Sequence, residues 1–130
     1  MTTKNQMTQA EQALGRILDE VGTKLSEPAL DLLSEAMGAS YKAWLSPNSP
    51  LQLEEYEETD KKLCSAAAKV TDQDRELLAE VARAHKAASV SIDPDDDTYV
   101  GDGVYREYYH GYYNMVSGWI EEALDGTLAQ

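Results

Sequence analysis

Signals that start and stop helices cut the chain into five stretches of helical periodicity, and this alternation limits the fold more than any other feature. Thr8 followed by Glu11 has the form of a capping box, after which Ala10, Ala13, Leu14, Ile17, Leu18, Val21 and Leu25 predict a first helix to about Leu25. Ser26, with Pro28 in the first turn, opens a second helix with the apolar stripe Leu30, Leu33, Met37, Tyr41 and Trp44, which stops at the turn Ser46-Pro-Asn-Ser-Pro50. Ser49-Pro50-Leu51-Gln52 reads as another capping box and opens a third helix to about Val70. Thr71 or Asp72 caps a fourth, whose residues Leu77, Leu78, Val81, Ala82, Ala84, His85 and Ala88 share an arc as far as Val90. Ser91 to Gly103 holds one Pro, two Gly and five Asp and reads as one long loop. Val104 to Leu124 predicts the fifth helix, with Gly126 placed to end it in a left-handed conformation.

No stretch alternates apolar and polar residues for long, and only Tyr99-Val100 has the character of a brief pairing. The expectation is an all-α, single-domain compact bundle of about five helices, mostly antiparallel, with one long acidic loop before the last helix. The domain is expected over residues 8–126, between flexible tails at 1–7 and 127–130. Gly15 and Gly22, and likewise Gly111 and Gly118, lie seven residues apart and form smooth strips suited to close helix approach, unless Gly22 simply ends the first helix. No run of about 18 apolar residues offers a membrane span, and Met1 to Met7 lacks the apolar core of a secretory signal. The single cysteine, Cys64, closes no intramolecular disulfide, so a cytoplasmic location is expected.

Charge narrows the function. Eleven Lys and Arg stand against 24 Asp and Glu, a net charge of −13, which disfavours direct contact with nucleic acid or an anionic membrane. Between Leu51 and Asp102 there are 14 acids and six bases. Glu54, Glu55, Glu57 and Glu58 open the third helix, and Asp93, Asp95, Asp96, Asp97 and Asp102 lie in the loop. Such clusters on a rigid scaffold imitate a phosphate array and attract a basic groove. The last helix gathers Val104, Tyr105, Tyr108, Tyr109, Tyr112, Tyr113, Met115, Val116, Trp119, Ile120 and Ala123 within an arc of roughly 180°, opposite Arg106, Glu107, His110, Asn114, Ser117 and Glu121. Tyr99, Tyr105, Tyr108, Tyr109 and Tyr113 are the aromatic contact candidates, since Tyr and Trp anchor interfaces.

Catalytic and metal sites find less support, and no cofactor is expected. Asp93, Asp95 and Asp97 match the first ligands of a calcium loop, but Thr98 and Val104 stand where Gly and a bidentate Glu are required. Glu107-x-x-His110 has no second copy to complete a di-iron bundle. Asp60 and His85 interrupt apolar arcs and are expected to find polar partners, a contact with each other being one such pairing. Glu54-x-x-Glu57-x-x-Asp60 resembles the carboxylate-rich helices of all-α nucleotide pyrophosphatases, which implies a Mg²⁺-dependent hydrolase as one alternative. In size, acidity and helical character the chain resembles small inhibitors that bind another protein, namely bacteriocin immunity proteins and phage-encoded antagonists of nucleases and CRISPR complexes. That resemblance implies a non-enzymatic protein that occludes a basic, nucleic-acid-binding surface on its target, in the host cytoplasm if phage-encoded. A homo-oligomeric structural or adaptor protein joined through the Tyr-rich last helix is the other alternative.

Overall fold

A computed structural model describes residues 7–126, so the tails expected at 1–7 and 127–130 lie outside the described residues apart from Met7. The fold is an all-α bundle of α1 (Gln9–Gly22), α2 (Glu27–Trp44), α3 (Leu53–Ala67), α4 (Asp72–Val90) and α5 (Arg106–Asp125), with a small hairpin of β1 (Tyr99–Gly101) and β2 (Val104–Tyr105) before α5. Side-chain links along neighbouring helices fix their directions. Arg75 donates to Leu124 O at one end of the α4/α5 pair and Ser89 to His110 O at the other, so the two run antiparallel. Thr8 meets Ser91 and Ser26 meets Asp74, which sets α1 against α4 in the same sense. Lys42 pairs with Glu55 and Lys62 with Glu35, so α2 and α3 are antiparallel as well. The last helix lies innermost, packed on α4 and α2 and touched by α3.

Leu32, Leu63, Leu78, Val81, Val116 and Ile120 form the fully buried centre. Several expectations shift against this frame. The buried face of α2 runs through Ala29, Leu32, Leu33, Ala36, Ala39 and Ser40, one position away from the expected stripe. Alanines there let neighbouring helices approach closely, and the bulkier Leu30, Tyr41 and Trp44 are left exposed. α1 stops at Gly22, and Leu25 still reaches the core from the connection. α3 starts at Leu53, three residues beyond Pro50, because the Glu55 carboxylate accepts from Gln52 N–H at 3.1 Å, and it ends at Ala67 short of Val70. The expected polar arc of α5 turns toward α4: Arg106 and Ser117 are buried, and Lys86 donates to Asn114 at 2.9 Å. Gly126 ends α5 with a φ of +73°.

Of the expected glycine strips, only Gly111 meets a close neighbour. A Cβ there would fall 2.6 Å from Trp44 ring atoms, whereas Gly15, Gly22 and Gly118 face open space. The indole lies directly on the α5 backbone and is still 42% exposed. Gly111→Ala adds helix propensity of about 1 kcal/mol. Displacing the indole costs about 1–3 kcal/mol. The expected result is a net loss of about 1 kcal/mol in urea titration, with tryptophan emission shifted to the red. A stabilised variant with unchanged emission would show that the indole does not sit on α5.

Candidate protein-interaction surface

The antiparallel arrangement brings the start of α1, the end of α2, the start of α3, the end of α4, the hairpin and the start of α5 to one end of the bundle. Pro47, in the connection after α2, sits beside the hairpin tip, 3.1 Å from where a Cβ on Gly103 would be. Gly101, Asp102 and Gly103 turn the tip with φ of +112°, +56° and +81°, values that glycine tolerates and Asp adopts far more readily than branched residues. Gly103 N–H donates to Tyr99 Oη at 2.9 Å, which holds that ring along the hairpin. Tyr99 meets Tyr105 edge to face at 5.2 Å between centroids, and Tyr105 meets Tyr108 in the same way at 5.6 Å. Trp44 on Gly111 lies one turn of α5 beyond Tyr108.

The acidic loop is ordered by its own carboxylates and by the helix it precedes. Asp93 accepts from Asp95 N–H at 2.9 Å, and Asp96 accepts from Thr98 N–H at 3.0 Å and from the Thr98 hydroxyl at 2.6 Å, contacts with Thr98 that hold the Asp96 carboxyl below its usual range. The first amides of α5 have no side-chain cap. Arg106 N–H and Glu107 N–H instead donate to Thr98 O and Asp96 O, each at 2.8 Å.

Beneath the hairpin lies a buried polar cluster. Arg106 makes a forked pair with Glu11, and Tyr113 donates its hydroxyl to Glu11 Oε2 at 2.7 Å. Glu11, only 2% exposed, also accepts from Thr8 N–H at 3.0 Å to complete the cap of α1. Burial pushes the Glu11 carboxyl up, but hydrogen bonds from Arg106, Thr8 and Tyr113 outweigh it and leave the group below its ordinary value. Burial, reinforced by the Glu11 carboxylate, drives the Tyr113 phenol far above its usual range, and Arg106 is held charged. The guanidinium also lies over the Tyr109 ring at 5.5 Å. A cleft of about 290 Å³ adjoins this cluster, lined by Met7, Glu11, Val100, Arg106, Tyr109 and Tyr113.

The expected contact residues divide into two groups. Glu54, Glu57, Glu58, Asp93, Asp95, Asp97, Asp102, Tyr99 and Tyr105 are exposed at or near this end. Glu58 shares Lys62 with Glu35, at 3.3 and 3.4 Å, in a solvated bridge of small energetic weight. Glu55 is engaged by Lys42, and its carboxyl is lowered by that contact and by the Gln52 amide. Asp96 is occupied by Thr98, Tyr108 and Tyr109 are half-buried, and Tyr113, contrary to the surface position expected of it, is buried on Glu11. Since α5 is innermost, its aromatic arc is spent on the core: its fully exposed residues are Asn114, Glu121, Glu122 and Asp125. Trp44, Tyr41 and Leu53, not foreseen as surface groups, add 42%, 55% and 71% exposed apolar side chains on α2 and α3.

The expected Asp60–His85 contact does not form. His85 Nδ1 bonds to its own helix at Val81 O, 2.9 Å away, the ring packs on Tyr113, and Nε2 has no partner among the described residues. Burial lowers its pKa, so the ring is neutral. Cys64 is half-buried beside the core. Among the described residues no group of three or more His, Cys, Asp or Glu side chains is placed to hold a metal ion, and Glu54, Glu57 and Asp60 do not converge on such a site. A groove of about 720 Å³ between α2 and α3 is lined by charges of both signs, including Glu27, Asp31, Glu35, Lys62 and Lys69. No helix among the described residues is long and apolar enough to cross a membrane. No family model, curated protein or solved structure matches this chain, and the acidic, aromatic end of the bundle is the surface that its own residues single out.

Proposed function

We propose that the chain is a non-enzymatic, cytoplasmic protein that covers a basic, nucleic-acid-binding surface on another protein, in the manner of toxin immunity proteins and phage-encoded antagonists of nucleases or CRISPR-type complexes. The observation that supports this reading is the convergence on one end of the bundle of both acidic clusters and an exposed run of aromatic rings. Carboxylates steer a basic surface into encounter, and rigid aromatic side chains supply the contact from which water is expelled. The hairpin end presents Glu54, Glu57, Asp93, Asp95, Asp97 and Asp102, while the nearby bases Lys42 and Arg106 are paired with Glu55 and Glu11.

In a host lysate at about 50 mM salt, the chain is expected to retain a basic nucleic-acid-binding protein. That protein should be released as salt rises or when double-stranded DNA is added. With Glu54, Glu57 and Glu58 changed to Gln and Asp95, Asp97 and Asp102 to Asn, association with the same target is expected to slow roughly tenfold at low salt. Capture that responds to neither salt nor DNA, or an unchanged association rate, would overturn the reading.

A further inference from the structure

Occlusion of a basic surface leaves open which chemical group on the partner is gripped, and the following inference rests on that reading. Tyr99 and Tyr105 are 46% and 37% exposed and join the half-buried Tyr108 in a ladder of edge-to-face contacts. Each such contact occupies one face of one ring, so exposed rings at the end of the ladder keep face area for another group. Aromatic faces are electron-rich and attract cations, and a flat guanidinium stacks on them better than an ammonium does. The protein already uses this chemistry one turn away, where the Arg106 guanidinium lies over Tyr109. Carboxylates flank the ladder: Asp97 stands two residues before Tyr99, and Asp102 is exposed at the hairpin tip between the two tyrosine-bearing strands. Neither carboxylate is taken up by the turn bonds that engage Asp93 and Asp96. We infer that the partner group seated on Tyr99, Tyr105 and Tyr108 is an arginine side chain of a basic protein segment, stacked on a ring face with its N–H groups directed at Asp97 and Asp102.

Acidity alone would attract lysine and arginine alike, whereas stacking favours arginine, and this difference separates the inference from the reading beneath it. The full chain is titrated at about 50 mM salt with nona-arginine and with nona-lysine, and binding is followed by calorimetry. Nona-arginine is expected to bind about two- to five-fold more tightly per ring engaged. Tyr105→Leu is expected to remove the preference and Tyr105→Phe to keep it, with amide NMR spectra confirming that both variants are folded. Equal binding of the two peptides, or an arginine preference that survives Tyr105→Leu, overturns the inference and leaves charge-based occlusion standing. Binding of neither peptide overturns both.

Discussion

Glu11→Ala is expected to lower the folding free energy by about 3–5 kcal/mol, because it strips a buried guanidinium of its partner. Glu11 is 2% exposed and holds Arg106 in a forked ion pair, accepts from Tyr113, and closes the cap of α1 on Thr8. Removing the carboxylate leaves Arg106 charged in a site that water reaches poorly, orphans the Tyr113 hydroxyl, and opens the first turn of α1. Arg106 is also the residue whose amide ties α5 to Thr98, so the damage extends to the base of the hairpin. Urea unfolding reads the loss directly. A double variant, Glu11→Leu with Arg106→Met, is expected to recover much of it, since an apolar pair fills the volume without a buried charge. A single-variant loss below about 1 kcal/mol would show that water reaches the pair and that it contributes as a surface bridge does.

Asp74→Ala is expected to cost about 2–4 kcal/mol, of which roughly 1 comes from the lost helix cap and the rest from a part-buried amide left without an acceptor. The carboxylate accepts from Thr71 N–H and Ser26 N–H, each at 3.0 Å, and from the Ser26 hydroxyl, so one side chain both caps α4 and ties down the start of α2. Burial would raise its pKa, but these hydrogen bonds dominate and hold it at about 2, against an ordinary 3.8. With the folded value depressed, the stabilisation is complete above the unfolded value and lost as pH falls from about 3.8 toward 2. The gap in stability between wild type and variant should therefore be full at pH 7 and close across that acid window. A gap independent of pH would show that the carboxylate acts through packing and not through its charge.

The caps show how far the chain could be read before its fold was known. Thr8 with Glu11 is a local pattern at a spacing of three, and the structure places it at the start of α1. The second role of Glu11 depends on Arg106 and Tyr113, 95 and 102 residues away, and no periodicity carries information across such separations. Asp74 behaves alike: Thr71 was one of the two expected caps of α4, but the box that Asp74 completes with it and the hold of Asp74 on Ser26 were not foreseen. On α2 the bulkiest residues marked the wrong stripe, because alanines bury more readily where helices meet closely, and a wheel weighted by hydrophobicity favours Tyr41 and Trp44 over Ala36 and Ala39. At the candidate surface the acids were legible as clusters. Their gathering at one end was not, since it follows from the packing of α2, α4 and α5. The burial of Tyr113 was not legible for the same reason that made α5 conspicuous: an arc of tyrosines suits a core that supplies hydroxyl partners as well as it suits an interface.

The innermost position of α5 also sets an order of events during synthesis. The first four helices leave the ribosome before the element that covers their inner faces exists, and the links that set α4 against α5, Ser89 to His110 and Arg75 to Leu124, wait for it. A chain interrupted before Arg106 would hold apolar faces with nothing to close over them, together with a Glu11 that lacks its cation. Closure over those faces therefore follows release of α5, and the pairing of Glu11 with Arg106 closes a loop of 95 residues. Repulsion between heavily negative chains acts against their association in that interval.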